Sequence, residues 1–461
     1  MFHLTKPLHD SLFGGLGNDS LNGGDGDDIY GINVATDVIQ DTSGNDTVNV
    51  NFSNGGNYTM AESVENAVLL AGNYSINVTG NALGNTLLGN AGNNIIVGME
   101  GNDSLAGGLG NDVLGGGIGN DTLDGGEGSD IYTVADVTHK TQAETNDTGL
   151  LGIDELRFIS QLAGSTLTVY AGDTGLEKVV IGTGLATTAD STSNVALNVN
   201  ASAAANALTI MGNAGANTII GGAGNDILYG DAGDDILIGG LGNDSLFGGL
   251  GSDTLNGGDG DDIYGINVAT DVIQDTSGID TVNVNFSTGG NYTMAESIEN
   301  AILLAGNYAI NVTGNALNNN LLGNIGNNTL NGGAGNDTLT GGLGEDTFTW
   351  KLADKGANGL PSMDKITDFN SSQDKLHLRD LLSGENSGNL LNFLDVTTSV
   401  TGGVTNTEIR ISNTGGFTSG NYSAGAENQH ITLTGVNLLA GTNETDLLAN
   451  LIAQNKLMID V

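Results

Sequence analysis

Two hydrophobic rhythms run along this chain. In one, a single large apolar residue recurs every nine positions, as at Leu228, Leu237, Leu246 and Leu255. In the other, apolar and polar residues alternate, as in Thr47-Val48-Asn49-Val50-Asn51-Phe52. A period of two predicts β-strand with one buried face. The nine-residue rhythm predicts very short strands, each offering one inward side chain, separated by tight turns. No long segment before residue 370 has helical periodicity. Near the end, Leu447-Leu448-Ala449-Asn450-Leu451-Ile452 reads as a short amphipathic helix, and Lys456-Leu457-Met458-Ile459-Asp460-Val461 as an apolar strand.

The nine-residue rhythm belongs to a phrase, G-G-x-G-x-D-x-U-x, with U a large apolar residue. Gly221 to Tyr229 reads GGAGNDILY and Gly239 to Phe247 reads GGLGNDSLF. Sixteen such units fall into four blocks, two from Gly14, five from Gly89, six from Gly212 and three from Gly323. The predicted organisation is a partial block over 1–31, blocks over 89–133, 212–265 and 323–349, and β-rich spacers over 32–88, 134–211 and 266–322. A C-terminal region spans 350–461. A longer repeat overlies the short one: residues 11–83 recur at 245–317 with seven differences, none at a position-six Asp. The middle spacer is a diverged relative, keeping Glu177 before Val179-Val180 as Glu65 precedes Val68-Leu69. The pattern is entered in mid-unit, since Asp10-Ser11-Leu12-Phe13 aligns with Asp244-Ser245-Leu246-Phe247 while residues 1–9 carry no matching glycines. This points either to the tail of a longer protein or to a degenerate capping turn.

The phrase has a chemical reading. Glycines at positions one, two and four permit positive φ in a tight turn. Turn carbonyls can then converge, and a carboxylate at position six adds a charged oxygen. That donor set suits Ca²⁺ and not Zn²⁺ or copper. Nine residues make half a turn of a flattened coil, so units i and i+2 stack. Asp226 with Asp244, and Asp235 with Asp253, are expected to share metal sites.

This pattern resembles the RTX (repeats-in-toxin) family of calcium-binding β-rolls. The resemblance implies an all-β, right-handed parallel β-roll or β-solenoid with a C-terminal β-rich capping and secretion domain. It implies Ca²⁺ ligation by turn carbonyls and by the position-six residues Asp19, Asp28, Asp103, Asp112, Asp121, Asp130, Asp226, Asp235, Asp244, Asp253, Asp262, Asp337 and Asp346. Three units depart from it. Asn94, Asn217 and Asn328 replace the Asp in the first unit of a block, so those turns are expected to be capping coils with poor metal occupancy. Asp364-Lys365-Ile366-Thr367-Asp368-Phe369 and Asp374-Lys375-Leu376-His377-Leu378 resemble the D-x-I-x-D-F and D-x-L-x-L cap that follows such repeats. The last residues resemble the C-terminal target region of substrates of the type I secretion apparatus.

Composition narrows the field further. The chain of 461 residues holds 76 Gly but 2 Pro, and its net charge is −43. No Lys or Arg lies between Lys6 and Lys140 or between Lys178 and Lys351, which excludes a phosphate-binding nucleic-acid surface. The carboxylates are set in register, unlike those of a plain acidic coat. Cysteine is absent, so there is no disulfide framework. No cleaved N-terminal signal and no transmembrane stretch is visible. Stacked carboxylates repel without a counter-charge, and the apolar set is thin, so metal binding is expected to drive folding.

Catalytic signatures are missing. There is no H-E-x-x-H, no G-x-S-x-G and no Walker lysine. His3, His9, His139, His377 and His430 are scattered, and Glu62 with Glu65, repeated as Glu296 with Glu299, reads as structural. The expectation is a secreted, extracellular bacterial protein, non-catalytic, structural or adhesive, with the type I apparatus and a cell-surface or matrix target as partners. The alternative is the C-terminal part of an RTX enzyme whose catalytic domain is absent from this chain. A pore-forming toxin fragment would need an apolar helical region, and none is apparent.

Overall fold

The computed structural model describes residues 9–70, 72–138, 140, 142–182, 191–304, 306–386, 388–418 and 421–459. Residues 1–8, with His3, and His139, Asp460 and Val461 lie outside them. The chain divides into two units, one ending at Leu241 and one beginning at Gly242. Asp226 and Asp235 belong to the first, Asp244 and Asp253 to the second.

In the first unit, Ser11–Phe13, Ile29–Ile32, Thr47–Val50, Asn66–Leu69, Thr86–Leu88, Ser104–Leu109 and Thr122–Glu127 form one sheet. All its pairings are parallel. Their register places Leu12, Tyr30, Val48, Ala67, Leu87, Leu105 and Leu123 in one column, buried from Tyr30 onward. A second column runs Tyr58, Val78, Ile96, Leu114, Tyr132, Leu156, Val179, Ile210 and Leu228. A third runs Leu167, Val199, Ile219 and Leu237. These files explain why one apolar residue in nine suffices. A flattened coil sets each such residue against its equivalent one turn away, and the strands on either side pair in parallel.

The turn length is legible in the register. Ser11 pairs with Ile29, Ile95 with Val113 and Ser104 with Thr122, eighteen residues apart. The segments between blocks wind in the same coil with longer turns. Thr47 pairs with Asn66, Asn66 with Thr86, Ile131 with Glu155 and Thr166 with Asn198, offsets of 19, 20, 24 and 32. The surplus residues leave the second column unbroken, while on the other face the first column ends at Leu123 and the third begins at Leu167.

The second unit repeats the plan. One column runs Leu246, Tyr264, Val282, Ala301, Leu321, Leu339, Ile366 and Leu433, and another Tyr292, Val312, Leu330, Phe348, Leu376 and Leu457. The nonapeptide phrase stops at Thr349, yet the winding continues. Ser362–Ile366 adds in parallel to Thr338–Thr340, and Lys375–His377 to Thr347–Thr349. Pairing then turns antiparallel, with Leu394–Thr401 against Val404–Ile411 and the latter against Gln429–Leu433. Helix α1, Glu444–Ala453, starts at Asn443, whose side chain accepts the Asp446 N–H, and it buries Leu447 and Leu448. It is the only α-helix among the described residues. Among the described residues no helix is long and apolar enough to cross a membrane. The antiparallel hairpin and α1 cover strands that would otherwise extend the coil, which blunts edge-to-edge association.

Candidate metal centre

The site is built from one repeating turn. Most glycines at positions two and four adopt positive φ, as at Gly117 (108°) and Gly119 (155°), where L side chains are strained; Gly222 and Gly224 are exceptions. Position one departs from the expectation. Gly98 is not in the positive-φ region; a Cβ there would instead collide with Asp103 Oδ2 and with the carbonyl of Gly116 in the next turn. Position one is glycine because the position-six carboxylate and a neighbouring carbonyl occupy the space a side chain would need.

Most position-six carboxylates are held at Oδ1 by an N–H of the adjacent turn, and Asp226 also accepts the Gly222 N–H at Oδ2, at 2.6 Å. The Asp103 N–H donates to Asp121 Oδ1 at 2.9 Å, Asp112 N–H to Asp130 Oδ1 at 2.6 Å, and Asp244 N–H to Asp262 Oδ1 at 2.7 Å. The carboxylates therefore stand in file, eighteen residues apart. Of the thirteen expected residues, twelve are at most 3% exposed and Asp19 is half-buried. Within each unit, position-six residues eighteen apart stack, as Asp103 with Asp121 and Asp244 with Asp262.

The second oxygen carries the argument. Oδ2 of Asp19, Asp28, Asp103, Asp112, Asp130, Asp262, Asp337 and Asp346 is buried and accepts no hydrogen bond. An unsatisfied buried charge of this kind is costly and calls for a counter-ion. Burial accordingly pushes Asp112, Asp130 and Asp337 up to about 7, and Asp103, Asp262 and Asp346 up to about 6, from the usual 3.8. For Asp337 the neighbouring Asp364 adds to the effect. Carboxylate and carbonyl oxygens crowded into one turn are hard donors and fit Ca²⁺.

The asparagine units are wired differently. Asn94 Oδ1 accepts the N–H of Asn90 in its own turn at 2.9 Å, and its Nδ2 donates to Ile76 O at 2.7 Å. Asn217 does the same with Asn213 and Leu197, and Asn328 with Asn324 and Ile310. The amide satisfies both the turn and the preceding coil, so these turns are complete without a cation.

The carboxylate file runs beyond the phrase. Asp28 N–H donates to Asp46 Oδ1, Asp130 N–H to Asp154 Oδ1 and Asp262 N–H to Asp280 Oδ1. Glu65, Glu177 and Glu299 then accept from Asp46, Asp154 and Asp280. A glutamate reaches where turns of 19 or 23 residues set the side chain farther back. Glu65 and Glu299 are thus structural acceptors, while Glu62 and Glu296 are exposed. Sequence reasoning passed over Asp46 and Asp280 because their turns, Asp41 to Asp46 and Asp275 to Asp280, keep glycine only at position four. That residual Gly-x-Asp was the available signal.

At the C-terminal cap, protein donors take the place of a cation. Asp364 Oδ1 accepts the Asp337 N–H, and its Oδ2 accepts Trp350 Nε1 at 2.6 Å and Gln429 Nε2 at 2.7 Å. Asp374 accepts from Asp346 and Asn370, and Asp368 from Gly341 and Gly342. The middle spacer carries its own cations. Lys140 Nζ lies 2.8 Å from Asp173 Oδ1, and Glu155 bridges Arg157 Nε (2.6 Å) and Lys178 Nζ (3.1 Å). His430 lies between Glu408 and Glu427, at 2.9 and 3.0 Å.

With this geometry in place, comparison adds a family. The RTX calcium-binding nonapeptide repeat (four copies) matches residues 8–30, 79–114, 115–133, 209–237, 229–264 and 313–348. Two of these matches begin a unit before the blocks identified from the sequence, taking in Gly80 to Leu88 and Gly314 to Leu322. Among curated proteins none matches. Among similar solved structures are two solution structures of subunits of the Azotobacter vinelandii mannuronan C5-epimerase. The AlgE6R2 subunit is 21% identical, covering 44% of this chain and 91% of its own, with a TM-score of 0.21. The AlgE6R3 subunit is 18% identical, covering 49% and 74%, with a TM-score of 0.14.

Proposed function

We propose that this chain, whose repeats belong to the RTX calcium-binding nonapeptide family, is a secreted, non-catalytic module that completes its fold on extracellular Ca²⁺. The observation that carries the reading is the file of buried position-six carboxylates, in which Asp28, Asp103, Asp112, Asp130, Asp262, Asp337 and Asp346 are tied down at Oδ1 and left unsatisfied at Oδ2. The position-six Asp residues and the turn carbonyls would hold the ions, and the ions would supply the charge neutralisation that the turns lack. Extracellular calcium modules work at a Kd of roughly 10⁻⁴–10⁻³ M, so such sites stay empty in cytosol and fill outside the cell. A chain that folds only after export suits passage in an extended state.

The C-terminal region fits an export role. It ends the coil with a hairpin and α1, and Leu376, Leu394, Leu447, Leu448 and Leu457 gather in one apolar cluster. In this reading it is recognised by a type I secretion apparatus, and the coil ahead of it serves as a stiff structural or adhesive spacer. Deleting the last 60 or so residues tests the export half. Secretion by a type I apparatus should cease, and continued secretion would refute that half.

A further inference from the structure

Three places in the coil hold one carboxylate more than the repeat provides. Asp28, Asp41 and Asp46 place carboxylate oxygens within 4.8 Å of one another, as do Asp130, Asp147 and Asp154, and Asp262, Asp275 and Asp280. Each trio marks the same junction, where the last nonapeptide of a block meets the first coil of the following spacer. Two of its members are position-six residues of stacked turns. The third, Asp41 or Asp275, stands at position one, where the ordinary turn has glycine. Asp147 reaches the equivalent place from a turn two residues longer.

The third carboxylate is deliberately held. Tyr30 Oη donates to Asp41 Oδ1 at 2.6 Å and accepts the Gly23 N–H at 3.1 Å. Tyr132 does the same for Asp147 and Gly125, and Tyr264 for Asp275 and Gly257. Each tyrosine comes from an Asp-Ile-Tyr run that begins with the first aspartate of the trio. These hydrogen bonds orient one oxygen and leave others bare. Oδ2 of Asp28, Asp41 and Asp46, of Asp262, Asp275 and Asp280, and of Asp130 is buried with no hydrogen-bond partner. Asp28, Asp46, Asp130, Asp262 and Asp280 are at most 1% exposed. The first and third trios lie in stretches without a Lys or Arg, so their charge is not offset by a neighbour along the chain.

We propose that each trio is a three-carboxylate Ca²⁺ site that shares its position-six member with the repeat file, binds more tightly than an ordinary repeat turn and clamps a block to its spacer. The inference rests on the reading that the repeats bind calcium. Ligand charge count tunes calcium affinity in oxygen-donor sites, and a third carboxylate shifts it toward tighter binding by roughly tenfold or more. These sites fill first as calcium rises, and they fix the block-to-spacer junction before the two-carboxylate turns are occupied. Asp147 Oδ2 also accepts the Gly149 N–H at 3.1 Å, which makes the middle trio the weakest of the three.

The test uses the full chain, stripped of metal and titrated with Tb³⁺ and then with competing Ca²⁺. Emission is excited through tyrosine, because Tyr30, Tyr132 and Tyr264 touch a ligand carboxylate. The expected curve has a tight phase, bright through tyrosine, followed by a weaker one. The D41N/D147N/D275N variant should lose the tight phase and three bound ions while keeping the weaker phase. The single variants D41N and D275N should each lose one tight ion, which covers the case in which the triple variant does not fold. D337N, in a repeat turn away from the trios, should lower only the weaker phase. A triple variant, or both single variants, titrating like wild type would overturn the proposal. Wild-type chain that takes up no ion at all would sink the calcium reading itself, a different failure.

Discussion

A position-six aspartate such as Asp103 or Asp112 is half of a binding group, with Oδ1 committed to the backbone and Oδ2 left for a cation. The neighbouring glycine is the space this arrangement requires. Replacing Gly98 by Ala should therefore weaken calcium-dependent folding although its φ is ordinary, and a shifted calcium midpoint in circular dichroism would show it. The asparagine turns make the reverse case. In N94D the Nδ2–Ile76 hydrogen bond is lost and a carboxylate faces a carbonyl, so stability should fall by about 1–3 kcal/mol. If N94D instead gained a calcium ion without loss of thermal stability, Asn94 would be a weakened site and not a cap. The raised carboxylates also set a pH dependence for the metal-free chain. A group at about 7 when folded and 3.8 when unfolded keeps its proton in the coil after the unfolded chain has released it. Metal-free stability is thus greatest below about pH 4 and is lost as pH rises through about 7. The unfolded chain and the calcium-loaded coil are both deprotonated above about pH 5.5, so as the protonated metal-free coil is lost the calcium needed to keep the chain folded should rise between about pH 5.5 and pH 8. A calcium midpoint independent of pH would contradict this.

The strands follow from position eight. Leu105, Leu228 and Leu246 were readable as inward residues from spacing alone, and each is buried in a column. Truncating one, as in L105A, should cost about 2–5 kcal/mol in the calcium-loaded state. The spacers were readable as β but not as turns of the same coil. Their offsets run from 19 to 32 residues, so no fixed period survives, and only strand pairing reveals the shared winding. Asp41, Asp147 and Asp275 were invisible for a related reason, since each occupies a glycine position or follows an insertion. The continuation past Thr349 was hidden as well, because Trp350, Gln429 and Asp364 complete a turn with residues far apart in sequence. The middle spacer behaves as an element of another kind. Lys140 against Asp173 is a buried pair, and K140A would leave a buried charge alone, at a cost of about 3–5 kcal/mol that added calcium does not restore. Calcium rescue of K140A in a thermal melt would argue against that assignment.

For the whole chain, the two units share one economy. Thin apolar columns and backbone pairing shape the coil, and buried carboxylates make its closure conditional on a cation. The net charge of −43 means that the metal-free chain repels itself along its length, while the calcium-loaded chain does not. The most direct test is far-UV circular dichroism of the full chain, first in EDTA and then through a CaCl₂ titration near neutral pH. The account predicts a largely disordered spectrum in chelator and a cooperative gain of β signal at millimolar or lower calcium. An unchanged β spectrum in EDTA, with no response to calcium, would contradict it.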